Sequence, residues 1–161
     1  MKFIKYIKLS IVLMGVTTSA FAKIEPQMLQ AAKNNDIWAQ VMLSLEYNQI
    51  GNHTKELFWL QKAISQNEKT PTLPIDALTP IYSRLGFLYI NGKGVKHNAK
   101  RALAYSLRAA ENQDPFAMHN LGIMYGNGVG TKVDLNKSFY WMTQACEHNY
   151  QPSCEILNSS K

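Results

Sequence analysis

Apolar residues in the second half of the chain recur at helical spacing. Ala117, Leu121 and Tyr125 stand at i, i+4 and i+8, and Trp141 and Ala145 at i and i+4, spacings that stack side chains on one face of a helix. Between the two runs lie Gly126, Gly128 and Gly130, residues that tolerate the positive φ a tight turn needs. Asp114 followed by Pro115 reads as an N-cap and a first helical position, and Asp36, Thr54, Thr79-Pro80, Asn98 and Asp134 offer comparable starts. The pattern predicts pairs of helices joined by glycine-bearing turns. A phosphate-cradling loop is the competing reading of the glycines, but such loops follow a strand, whereas Tyr89 and Tyr125 close helical patterns.

The helix pairs repeat. The segment from Leu85-Gly86 to Lys96 lies 36 positions before that from Leu121-Gly122 to Lys132, with Leu, Gly, Tyr, Asn, two Gly and Lys coinciding without a gap. The register continues, with Tyr105 over Trp141, Ala109 over Ala145 and Glu111 over Glu147. A fixed period of this size marks stacked repeats. A degenerate earlier copy places Ala39, Leu43 and Tyr47 on Ala117, Leu121 and Tyr125, and Trp59 and Ala63 on Trp141 and Ala145, with a loop around Gly51 four residues shorter.

Half-units flank the three copies. Gln30-Ala31-Ala32 and Asp36 parallel Arg108-Ala109-Ala110 and Asp114, while Ser153 and Leu157 fall 36 positions after Ala117 and Leu121. The expected layout is a half-repeat over residues 25–38, repeats over about 39–78, 79–116 and 117–152, and a half-repeat over 153–158, all within one domain of residues 23–161. Ala63 to Ile81 spans 18 positions where Ala109 to Ala117 spans 8. The extra stretch, residues 66–77 with Pro71 and Pro74, is expected to loop out of the stack and loosen the contact between the first and second repeats.

The run Ala117-x-x-x-Leu121-Gly122-x-x-Tyr125-x-x-Gly128-x-Gly130, then Asp134 and Trp141-x-x-x-Ala145, resembles the Sel-one-like repeat, a relative of the tetratricopeptide repeat. The resemblance extends over nearly all of residues 25–157. It implies an all-α fold, a right-handed α-solenoid of stacked helix-turn-helix units that binds its partners on the inner surface lined by the first helices. The first copy departs from the pattern: it carries Ser44 where the family prefers Gly and lacks the loop glycines, so a different crossing of its helices is expected.

That inner surface can be placed on the sequence. If Ala39, Leu43 and Tyr47 face the partner helix, a step of about 100° per residue puts Val41 and Leu45 on the opposite side. The same positions are Ser83 and Phe87 in the next copy, and His119 and Ile123 in the one after. Leu45, Phe87 and Ile123 are thus expected to form an apolar row across three units, flanked by Met42, Arg84 and Asn120. A contiguous exposed apolar row marks an interaction site, and the competing reading is that these side chains pack on one another in a strongly curved stack.

Composition adds a compartment. The 161 residues are 46% hydrophobic and 17% charged, which describes one modest globular domain. Residues 1–22 begin with Lys2, Lys5 and Lys8, continue as an apolar run from Leu9 to Val16 and end in Ala20-Phe21-Ala22, the pattern of a secretory signal peptide. The run is too short for a spanning helix, and Lys23, not Cys, follows the cleavage site, so no lipid attachment is expected there. Of the formal net charge of +6, three charges belong to this leader, and what remains is too weak to argue for nucleic acid. Export gives Cys146 and Cys154 an oxidising surrounding in which disulfides persist. A metal pair or a reactive thiol are the competing readings, with no third or fourth ligand at metal spacing. The eight-residue separation also resembles that of the secreted cysteine-rich branch of the family, which implies a bridge holding the terminal half-repeat.

Catalysis has no evident actors. His53, His97, His119 and His148 are scattered, no Gly-x-Ser-x-Gly occurs, carboxylates are not paired, and neither a metal nor a cofactor is expected. The expected function is that of an exported protein–protein interaction module of the bacterial cell envelope, with Leu45, Phe87 and Ile123 as apolar anchors and Arg84 and His119 as polar selectors beside Val41. The family resemblance implies a narrower version, a periplasmic immunity protein that neutralises a type VI secretion toxin. It also implies two alternatives, a β-lactam-binding or hydrolysing enzyme and a peptidoglycan-associated structural protein. The enzyme reading is weakened by the single Cys pair and by the lack of a Ser-x-x-Lys motif with a plausible nucleophile.

Overall fold

A computed structural model of the chain describes residues 26–159, and the leader read at residues 1–22 lies outside them. The described residues form eight helices and no strand: α1 Pro26–Lys33, α2 Ile37–Gln49, α3 His53–Lys69, α4 Ile75–Asn91, α5 Ala99–Glu111, α6 Pro115–Asn127, α7 Leu135–Glu147 and α8 Gln151–Ser159. Each helix packs on the next, and the succession builds an all-α solenoid.

Local chemistry sets most helix starts. The side chains of Asp36, Asn98, Asp114 and Asp134 accept hydrogen bonds from the backbone N–H groups of Ala39, Arg101, Ala117 and Lys137, satisfying donors that the first turn leaves unpaired. Two expected starts are displaced. The cap of α3 is Asn52 rather than Thr54, its side chain accepting from Lys55 N. Thr79-Pro80 does not begin a helix at all: α4 starts at Ile75, so Pro80 sits within it, and Thr79 Oγ1 donates to the Ile75 carbonyl.

The positions that define the repeat are its core. Leu43, Leu85 and Leu121 are fully buried, as are Ala63, Ala109 and Ala145, and Tyr47, Tyr89 and Tyr125 are nearly so. Burying a leucine of this kind stabilises by about 1.5–3 kcal/mol relative to leaving it in water, so the repeated Leu is a principal term in each unit. Gly92 and Gly128 end α4 and α6 in the left-handed region, at φ 63° and 69°. Gly94 and Gly130 answer a second requirement besides the turn. A Cβ on Gly94 would overlap the backbone of His53, and one on Gly130 would overlap that of Ala99, so each loop rests directly on the start of the preceding unit's second helix.

The extra stretch between the first and second repeats does not loop out. Both α3 and α4 are 17 residues long where α5 and α6 are 13, so most of the insertion is absorbed as added turns at the end of α3 and the beginning of α4. The short connection that remains is tied down, because Asn67 Oδ1 accepts from the N–H groups of Thr72 and Leu73, and the Leu73 side chain is buried in the core. Helix continuation satisfies backbone groups that an excursion would have left to solvent, and Leu73 supplies an apolar anchor. Even so, the backbones of α3 and α4 run less closely together than those of any other consecutive pair among the described helices. Ser44, the residue in the glycine position of the first copy, is buried with its hydroxyl turned back onto the Val41 carbonyl at 2.6 Å.

Candidate partner-binding surface

The flank of the stack that carries the expected row is marked by which helices approach across repeats. The backbones of α4 and α6, first helices of consecutive units, come within 8 Å of each other. This approach places α4 and α6 side by side on one flank of the stack, and α2 is the first helix of the unit before them.

On these three helices Leu45 is 49% exposed, Ile123 is 40% exposed and Met42 is 38% exposed. Their buried helix-mates Leu43, Ser44, Leu121 and Gly122 turn the other way into the core, which is the two-sided arrangement that the helical period demands. Ile156 on α8 stands at the position of Asn120 one repeat on and is 41% exposed, extending the apolar surface beyond the three units. The period of 36 that sets Leu157 on Leu121 also sets Ile156 on Asn120, a flanking position of the expected row.

The other expected members are engaged in structure to differing degrees. Val41 and Phe87 are half-buried and pack against the central core cluster. The Phe87 ring is also covered by two cations, the Arg84 guanidinium at 5.0 Å and the Lys93 ammonium at 5.1 Å from its centre. Phe87 therefore joins core to surface rather than standing free between Leu45 and Ile123.

Arg84, expected as a polar selector, is an inter-repeat tie. Its Nε donates to Glu56 Oε1 at 2.5 Å, and its Nη2 donates to Glu56 Oε2 at 3.1 Å and to Asn48 Oδ1 at 2.5 Å. Glu56 itself is 1% exposed and is also met by His53 Nδ1 at 2.8 Å. A carboxylate so deeply buried requires this pairing, since desolvating it alone would cost several kcal/mol. The buried partner could not be found from sequence, because nothing in the spacing of Glu56 separates it from a surface acid.

His119 is likewise held. Its Nδ1 shares a 2.8 Å hydrogen bond with Ser153 Oγ, and its ring lies 5.0 Å from that of Tyr150. Burial lowers its pKa from the ordinary 6.5, favouring the neutral imidazole. It links α6 to α8.

Cys146 and Cys154 form a disulfide with Cα atoms 4.8 Å apart, joining α7 to α8. Among the described residues there is no group of three His, Cys, Asp or Glu placed to hold a metal ion, and no helix is long and apolar enough to cross a membrane.

The family model described as Sel1 repeat matches residues 57–68, 82–114 and 115–150. An ERAD-associated E3 ubiquitin-protein ligase component, HRD3B of Arabidopsis thaliana, is 35% identical over 85 residues, 52% of this chain and 11% of its own length. The Sel1-repeat-containing protein YjcO of Escherichia coli K12 is 29% identical over 98 residues, 58% of this chain and 43% of its own. The chain thus spans well under half of these two relatives. Among solved structures, the Sel1 repeat protein from Oxalobacter formigenes aligns over 83% of this chain and 96% of its own, with a TM-score of 0.64 at 23% identity. A protective antigen of uropathogenic Escherichia coli displaying an SLR fold aligns over 82% of this chain and 27% of its own, with a TM-score of 0.65 at 31% identity. Cysteine rich protein B of Helicobacter pylori aligns over 88% and 98%, with a TM-score of 0.59 at 24% identity.

Proposed function

Since the chain belongs to the Sel1 repeat family, whose repeats mediate protein–protein interaction, we propose that it works by holding a partner protein against the inner surface of α2, α4 and α6. The observation that carries this reading is the exposure of Leu45 and Ile123 on one side of the stack, two repeats apart, with Met42 beside them. Apolar side chains left in water on a concave surface gain free energy when a partner covers them. Val41 and Phe87 support the floor of that surface, and Arg84 and His119 fix the helices that present it.

The compartment is the cell envelope. The leader pattern at residues 1–22 and the disulfide between α7 and α8 support export to an oxidising space. Within that reading, the partner is another exported or envelope protein, and the narrower version is a toxin from a neighbouring cell that this chain neutralises by noncovalent capture.

The test is capture from periplasmic extract, and from cells co-expressing a candidate toxin, with Leu45→Asp and Ile123→Asp as controls. Both side chains are exposed, so these variants separate binding from folding, which Phe87→Asp would not. A protein enriched by the native chain and lost on both variants is the expected result. Equal enrichment on the native chain and on both variants would move the contact elsewhere.

A further inference from the structure

A cleft of about 420 Å³ opens on the outer side of the stack, between α3 and α5 at the end of α4, away from the surface just described. Its size is that of a small-ligand site. Three departures from the repeat pattern meet there.

The first is Ala104. The matching positions in the other repeats are Phe58 and Tyr140, whose rings sit edge-on to Trp59 and Trp141 at 5.0 Å between centres. Alanine in the middle repeat leaves that volume empty. Beneath it Tyr105 is stacked between Tyr82 and Tyr89, at 6.3 and 5.8 Å, and forms a rigid wall.

The second is Arg101. Lys55 and Lys137, its counterparts, stand over Tyr47 and Tyr125 at 5.1 and 5.2 Å, so a cation above the repeated Tyr belongs to the fold. Arg101 stands likewise over Tyr89 at 5.5 Å and donates through Nη1 to its hydroxyl at 2.9 Å. Unlike lysine, a guanidinium so placed keeps further N–H donors in a planar fork suited to a carboxylate. Among the described residues no carboxylate pairs with it.

The third is Glu68, which lies in the turn by which α3 exceeds the other second helices. It is exposed at the far end of the cleft, where its Oε1 accepts from Arg108 Nη1 at 3.1 Å. Arg108 is two helical turns from Arg101, about 10 Å along α5.

We propose that this cleft binds a short peptide with free ends, its carboxylate on Arg101 and its amino group at Glu68. An unpaired cation at one end and an accessible carboxylate at the other match the charges of such a molecule. The axial spacing of about 10 Å from Arg101 to Arg108, against which Glu68 lies, is of the order of three extended residues. The Gln61 amide, which donates to the Tyr89 hydroxyl, lies on the same wall and suits the peptide's own amide groups.

Calorimetric titration of the full chain with trialanine tests this. Saturable binding is expected, at least tenfold weaker for the C-terminal amide and for the N-acetylated peptide. Arg101→Lys, which keeps the cation over Tyr89 but loses the fork, should weaken binding at least tenfold. Ala104→Tyr fills the cleft at an exposed position and should abolish binding while leaving the melting temperature unchanged. No saturation up to ~10 mM trialanine, a range in which even millimolar affinity would register, overturns the proposal. Equal affinity for the amide, or native affinity in Ala104→Tyr, overturns it as well.

Discussion

Gly130 rests on Ala99: a Cβ added to the glycine would stand 2.4 Å from the alanine carbonyl oxygen, and the glycine φ is +76°. Both features forbid a side chain, one through the backbone of another repeat and the other through the local conformation. Gly130→Ala should therefore destabilise by about 2–3 kcal/mol, read from the urea midpoint at unchanged slope. Gly51→Ala, at a similar φ but with nothing within 4 Å of the added carbon, should cost about 1–2 kcal/mol.

The pairing of Glu56 with Arg84 gives a second expectation. Arg84→Ala leaves a carboxylate that is 1% exposed with only His53 to meet it, and should destabilise by about 2–3 kcal/mol. Adding Glu56→Leu to that variant should restore part of the loss, because the unpaired charge is then gone. A double-mutant cycle by chemical denaturation measures both.

The bridge between Cys146 and Cys154 closes a short loop around the start of α8. Replacing both by serine should cost about 2–3 kcal/mol, with amide exchange rising in α8 before the rest of the chain. Intact mass of the purified protein should increase by about 2 Da on reduction by a thiol, which supplies two electrons as the two sulfurs take up two protons.

His119 sets a pH dependence. Burial holds its folded pKa below the ordinary 6.5, so the unfolded chain binds the proton first as pH falls. Stability should thus be fully present above about pH 7 and decline as pH drops through about 6.5, levelling once the folded imidazole is also protonated. Melting curves across that range should show the slope in the native chain and its loss in His119→Gln.

Much of the fold could be read from the sequence because the repeat recurs at a fixed period. Leu43, Leu85 and Leu121 announce the core by occupying one position three times, and the α2, α4 and α6 faces that carry Leu45 and Ile123 follow from the same period. What the period does not carry was harder to see. Residues 66–77 break the register, and prolines at 71 and 74 suggest an excursion. The helical outcome depends on Asn67 capturing two backbone N–H groups and on Leu73 finding the core, both tertiary events. The engagement of Arg84 by Glu56 is likewise a contact between residues 28 apart, invisible to a comparison of aligned positions. Ala104 and Glu68 are departures from the repeat, and their meaning lies in where the stack brings them.

The looser approach of α3 to α4 has a mechanical consequence. In a one-dimensional array each unit feels only its neighbours, so the bend at this junction is set by what crosses it: the Arg84–Glu56 pair, Gly94 resting on His53, and the core shared around Leu73. Leu45 lies on one side of that junction and Ile123 on the other. A body seated on both would meet a bend these ties already hold, so the radius of its surface, as much as its chemistry, would decide whether it fits.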